Sequence, residues 1–100
     1  MKYQSFKEFY PYYLSQHQNI VCRMLHFFGT VFAVLCLLAF IFSFNLVYLF
    51  LAIILGYGFA WVGHAFFEKN APATFKYPLY SLLGDLMMVR DILTGRIKIF

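Results

Sequence analysis

Residues 24–67 read MLHFFGTVFAVLCLLAFIFSFNLVYLFLAIILGYGFAWVGHAFF, a run of 44 residues without an Asp, Glu, Lys or Arg. One helix crosses the hydrocarbon of a bilayer in about 20 apolar residues, so this run holds two crossings and a turn. The turn signal, Ser43-Phe44-Asn45, stands at its middle. His26 lies 19 residues before Asn45 and His64 lies 19 residues after it. At about 1.5 Å rise per residue each arm is about 29 Å long, one hydrocarbon thickness. A hairpin with equal arms returns the chain to the face it left and sets His26 beside His64. Two imidazoles at one depth on adjacent helices suggest a metal site at a membrane surface. The other reading is that they hydrogen-bond headgroups or backbone carbonyls at the interface.

Composition agrees with a membrane protein. Hydrophobic residues make up 63% of the chain and charged residues 12%, against about 45–50% and 25% in ordinary globular domains. The 100 residues fit a single integral membrane domain. MKYQSFKEFYPYY lacks the apolar core and small-residue cleavage site of a signal peptide, so the first span is expected to act as the targeting signal. The net charge of +4 is distributed over both flanks: Lys2, Lys7 and Arg23 against Glu8 before the run, and Lys69, Lys76, Arg90, Arg96 and Lys98 against Glu68, Asp85 and Asp91 after it. All the bases lie on one side of the hairpin and none in its turn. The positive-inside rule then places both termini in the cytoplasm, in a bacterial inner membrane or an endoplasmic reticulum membrane. No basic strip remains for a nucleic acid. Cys22 and Cys36 lie in the first span and read as reduced core residues.

The fold class expected is all-α: a transmembrane helical hairpin, flanked by an N-terminal amphipathic helix and a C-terminal third helix. The segments are 1–18 for the amphipathic helix, 20–42 and 46–67 for the spans, and 78–94 for the third helix. Phe6, Phe9, Tyr10, Tyr13 and Leu14 share one side of the first helix, which suits the membrane interface. His17 continues the row Phe9, Tyr13 at i+4 spacing, and Pro11 kinks the helix or marks its start. Asn19 is a break and an N-cap. Gly29, Ala33 and Cys36 follow His26, and Ala52, Gly56 and Ala60 precede His64, at steps that let two transmembrane helices approach closely. Glu68 to Thr74 reads as a loop. Tyr77-Pro78 opens the third helix, on which Leu79, Leu82, Leu83, Leu86, Val89 and Leu93 form one apolar face. Thr94-Gly95 stops it. Asp85 sits in its middle, so this helix is either interfacial or packed on the hairpin with Asp85 turned inward. A homo-oligomer is a further partner to consider.

Among polar groups the histidines dominate. On one continuous helix His17 would face away from His26, because nine residues at about 100° each bring it to the opposite side. Both reach one ion only if the chain bends near Asn19. Glu68 is four residues after His64, the spacing at which two side chains share a helix face; it serves either as a ligand or as the partner of Lys69. Asp85 needs a partner by its position, whether a histidine N–H, Arg90, Arg23 or a metal. Asp91 is expected on the wet face. Ser43 and Ser81 have no histidine–carboxylate relay at serine-hydrolase spacing. There is no phosphate-binding glycine loop.

Two segments carry a family resemblance. One is His17-Gln18-Asn19 with Cys22-Arg23-Met24-Leu25-His26-Phe27-Phe28-Gly29-Thr30. The other is GYGFAWVGHAFFEKNAPATFKYPLYSLLGD from Gly56, closing at Asp91-Ile92-Leu93-Thr94-Gly95-Arg96. Together they resemble the membrane-bound 2-hydroxy fatty acid dioxygenases, whose fungal endoplasmic-reticulum members degrade phytosphingosine by α-oxidation. The resemblance implies an Fe²⁺-dependent enzyme that uses O₂ to shorten long-chain 2-hydroxy fatty acids by one carbon among membrane lipids. It places the catalytic, metal-binding histidines at His17, His26 and His64. Independently of the resemblance, spacing and position make Glu68 or Asp85 a candidate further ligand or orienting group. Three protein ligands and a bidentate 2-hydroxy acid leave one position of an octahedral ion for O₂. Two other readings are a non-enzymatic hairpin that organises membranes or assembles with a partner, and a zinc-dependent lipid hydrolase.

Overall fold

The computed structural model describes residues 3–72 and 75–98. Lys2, Ala73 and Thr74, which the sequence reading assigns to a charged flank and a loop, lie outside the described residues. Four helices in chain order are α1 (Phe6–Ser15), α2 (Ile20–Ser43), α3 (Leu46–Val62) and α4 (Pro78–Leu93), and a π-helical segment, Gly63–Glu68, continues α3. The described residues contain no strand. Ile20–Ser43 and Leu46–Glu68 contain 18-residue stretches of mean hydropathy 2.4 and 2.1 and are long and apolar enough to cross a membrane.

The hairpin closes where the turn signal stands. Phe44 takes a left-handed conformation (φ 55°) and donates its N–H to Phe40 O, while Asn45 Oδ1 accepts from Val47 N–H and starts α3. Nearer the histidines the arms are in close contact. A Cβ on Gly29 would come within 2.8 Å of Phe59 Cβ and 2.9 Å of Leu55 O. One on Gly63 would meet Cys22 Sγ at 2.9 Å. Ala52 and Ala60 are buried on the facing side. Without a hydrophobic drive between helices in lipid, this close packing is what joins the arms.

α1 and α4 cap the histidine end. The aromatic side of α1 does not face the interface as expected: Phe9 and Tyr13 are buried against Tyr77 and Met88 of the α4 region. Gly84 makes this possible, since a Cβ there would sit 2.8 Å from the Tyr13 ring. α4 turns inward the side that carries Ser81, Gly84, Met88 and Asp91. Its leucines point outward; Leu79 and Leu93 are more than two-thirds exposed. Leucines gain as much from hydrocarbon as from a protein core, so lipid fits this face. Asp91 corrects the sequence reading. It is buried, not wet, and accepts the Tyr10 hydroxyl at 2.6 Å with Arg90 beside it at 3.1 Å. α4 ends as its Thr94-Gly95 signal requires: Gly95 has φ 82°, Arg96 N–H reaches Asp91 O, and Gly95 N–H reaches Ile92 O.

Candidate metal centre

α1 stops at Ser15 and α2 starts at Ile20, so His17 lies in the break between them. Asn19 makes that break by accepting from Val21 and Cys22 N–H with its side chain. Arg23 Nε fixes it from below by donating to His17 O at 2.6 Å. The bend swings the His17 ring round to His26, one turn and a half inside α2. His64 comes from the start of the π-helical segment on the other arm. All three rings are buried, with centroids 4.3, 4.6 and 4.8 Å apart. Their candidate ligand atoms all lie within 4.8 Å of one another, and this is a set that could hold a metal ion.

Each ring has one nitrogen already committed. Nδ1 of His17 faces Tyr13 O at 2.6 Å, Nδ1 of His26 faces Cys22 O at 3.0 Å, and Nδ1 of His64 faces Asn70 Oδ1 at 2.6 Å. An oxygen acceptor assigns the proton to Nδ1 in every case and leaves each Nε2 as a lone pair. The Nε2 atoms of His17 and His26 are 3.0 Å apart. Two facing lone pairs repel unless a proton or a cation lies between them. Metal–imidazole bonds of about 2.1 Å, at about a right angle, give this separation. Backbone or amide oxygens behind each Nδ1–H are the usual means of orienting metal-bound histidines. The donor set therefore fits a divalent transition metal. Burial, then the neighbouring His26 and His64, hold the His17 pKa down to about 2 against the Tyr13 carbonyl, so this ring stays neutral and free to ligate.

Around the rings stands a polar frame. Asn70 donates to Gln16 O and Gln16 Oε1 as well as receiving His64, so it ties His64 to the break that carries His17. Nothing in the sequence marks Asn70, because its reach depends on the π-helical register and on the left-handed Lys69 before it. Tyr13 stacks on His17 with centroids 4.0 Å apart, as the i+4 spacing suggested, and its hydroxyl donates to Asp85. Burial raises Asp85 to about 6 while the Tyr13 hydroxyl pulls the other way. Burial and the Asp85 charge push the Tyr13 phenol well up, so it remains a donor.

Neither carboxylate proposed from sequence joins the three histidines. Glu68 accepts from Asn19 N–H. The wider π-helical turn takes it off the His64 face that an α-helix would have given it. Asp85 stands outside the cluster of ligand atoms; it accepts the Tyr13 hydroxyl and walls the space beside the rings.

Against the rings lies a small void of about 20 Å³, walled also by Tyr13, Trp61 and Ser81. Tyr57 and Asp85 wall this void and also a cleft of about 260 Å³ between α4 and the hairpin. Thr30, Ala33 and Val34 of α2 and Leu82 and Leu86 of α4 line that cleft. Its outer lip is exposed at Leu37 and Leu82, on the side where lipid would lie.

No protein of curated function matches the chain, and no solved structure does. Over residues 3–97 its sequence matches the family described as 2-hydroxy-palmitic acid dioxygenase Mpo1-like, and the protein belongs to that family.

Proposed function

We propose that this protein is an Fe²⁺-dependent dioxygenase that shortens long-chain 2-hydroxy fatty acids by one carbon at a membrane surface. The observation that carries this reading is the convergence of three Nε2 lone pairs whose Nδ1 partners are all committed. His17, His26 and His64 would hold the metal. When bound, Fe²⁺ supplies coordination positions for a chelating 2-hydroxy acid and for O₂, and the electron exchange between them. Neutral ligands leave the ion's positive charge uncompensated, which favours an anionic, chelating substrate. Asn70, Tyr13 and the Cys22 carbonyl hold the rings in place, and the buried setting limits water. The overall change balances as R–CH(OH)–COOH + O₂ → R–COOH + CO₂ + H₂O. The acid gives up four electrons and O₂ takes four, so no separate reductant is needed. The family description supports a dioxygenase acting on a 2-hydroxy acid of this kind.

The test is turnover of 2-hydroxypalmitic acid by purified, Fe²⁺-loaded protein under ¹⁸O₂, followed by mass spectrometry. The expected product is the acid one carbon shorter, carrying label, with little reaction of palmitic acid and none in His64→Ala. Equal turnover of the hydroxylated and plain acids, or activity surviving His64→Ala, would sink the reading. Stoichiometric zinc in protein purified without added metal, together with ester hydrolysis, would replace it with the hydrolase.

A further inference from the structure

Among the described residues, one buried side-chain oxygen has no hydrogen-bond partner: Ser81 Oγ. Ser81 is 5% exposed, sits on the inward side of α4, and walls the void that the three histidine rings share. A helical serine commonly satisfies itself on the carbonyl one turn back. Here that carbonyl, Tyr77 O, receives only the Ser81 backbone N–H at 2.8 Å. The other buried polar side chains at the void are the three histidines, and Asp85 beside them is half-buried. The histidines present Nε2 lone pairs, and Asp85 accepts the Tyr13 hydroxyl. Ser81 is thus the buried donor left for something that enters the void. Asp85, one turn further along α4, marks where the void meets the apolar cleft.

We propose that Ser81 Oγ–H donates a hydrogen bond to an oxygen of the 2-hydroxy acid head, while the acyl tail lies in the cleft between α4 and the hairpin. The identity of the ligand rests on the function proposed above. Held at both ends, the acid presents its α-carbon to the histidines, and α4 becomes the wall that reads the head and the tail together.

The chain's one tryptophan, Trp61, walls the same void, so its emission reports binding without turnover. The protein as purified in detergent is titrated under argon with 2-hydroxypalmitic acid. Ser81→Ala is expected to bind about three- to ten-fold more weakly, the value of one hydrogen bond. Ser81→Thr should recover the loss. Ser81→Val, of equal size but without the hydroxyl, should not, and this pair decides the matter if Ser81→Ala folds poorly. Because Oγ bonds nothing in the protein, the ligand-free unfolding temperature of Ser81→Ala should equal or exceed that of wild type. In turnover KM should rise more than kcat falls. Val34→Phe, which fills the cleft, should weaken 2-hydroxypalmitic acid more than the eight-carbon 2-hydroxy acid. Unchanged affinity in both Ser81→Ala and Ser81→Val overturns the proposal and leaves a water as the hydroxyl's partner. Wild-type protein that binds no 2-hydroxy acid overturns it as well. Binding that depends on Ser81 without formation of the shorter acid keeps the head-and-tail site and refutes the oxidation.

Discussion

At the scale of single residues, the site is a matter of which nitrogen of each histidine is spoken for. Asn70 is the clearest case, because its side chain receives His64 Nδ1–H and holds the strand of chain that carries His17. Asn70→Ala should weaken metal retention about 10- to 100-fold while the protein stays folded. His26→Ala or His64→Ala should abolish retention. Metal analysis after dialysis against a graded chelator reads both effects, and a His64→Ala protein that keeps stoichiometric metal would end the shared-site reading. His26 and His64 were legible in the sequence because equal arms of a hairpin fix their depth. From spacing alone His17 was legible only as a condition, a bend at Asn19, and the bend is there. Asn70 and Ser81 were not legible. One depends on a π-helical register and the other on which side of α4 faces in, and neither leaves a local sequence signature. Asp91 misled for a related reason: a carboxylate near a helix end looks solvated until a tyrosine from another helix is found on it.

Elements show where small residues are required and where they are incidental. Gly29 faces a backbone carbonyl and a Cβ of α3 that cannot swing aside, whereas a Cβ on Gly58 would meet nothing within 4 Å. Gly29→Ala should therefore lower stability by about 1–3 kcal/mol, as overpacking does. Gly58→Ala should be neutral or stabilising by up to about 1 kcal/mol, through helix propensity. Thermal unfolding in detergent compares them, and equal midpoints would contradict the close approach at Gly29. The two long apolar helices were readable from hydropathy, and Asn19 and Asn45 mark their starts, but the π-helical turn at Gly63–Glu68 was not. What hydropathy could not say is whether an apolar stripe meets protein or lipid. That is why α1 carries its aromatics into the α4 packing and α4 carries its leucines out.

On the scale of the whole molecule, the charged residues all flank the hairpin and the far turn, Ser43 to Asn45, carries none. Arg23 bridges the His17 carbonyl and Lys98 O, so the chain's last described residue lies at the histidine end, opposite Asn45. With all the basic residues flanking the hairpin, both termini should face the cytoplasm. Gln4→Cys, Asn45→Cys and Lys98→Cys, made singly, check this with a membrane-impermeant thiol reagent on intact cells. Labelling at Asn45→Cys alone is expected, and labelling of either other position from outside would reverse the orientation. The open lip of the cleft has a kinetic meaning of its own. A catalyst fed sideways from a leaflet works in a two-dimensional solution, where concentration is a mole fraction. Its rate should rise with the proportion of 2-hydroxy acid in the vesicle and stay constant when vesicles carrying enzyme and substrate are diluted together in buffer. A rate that fell with dilution would mean the acid arrives through water.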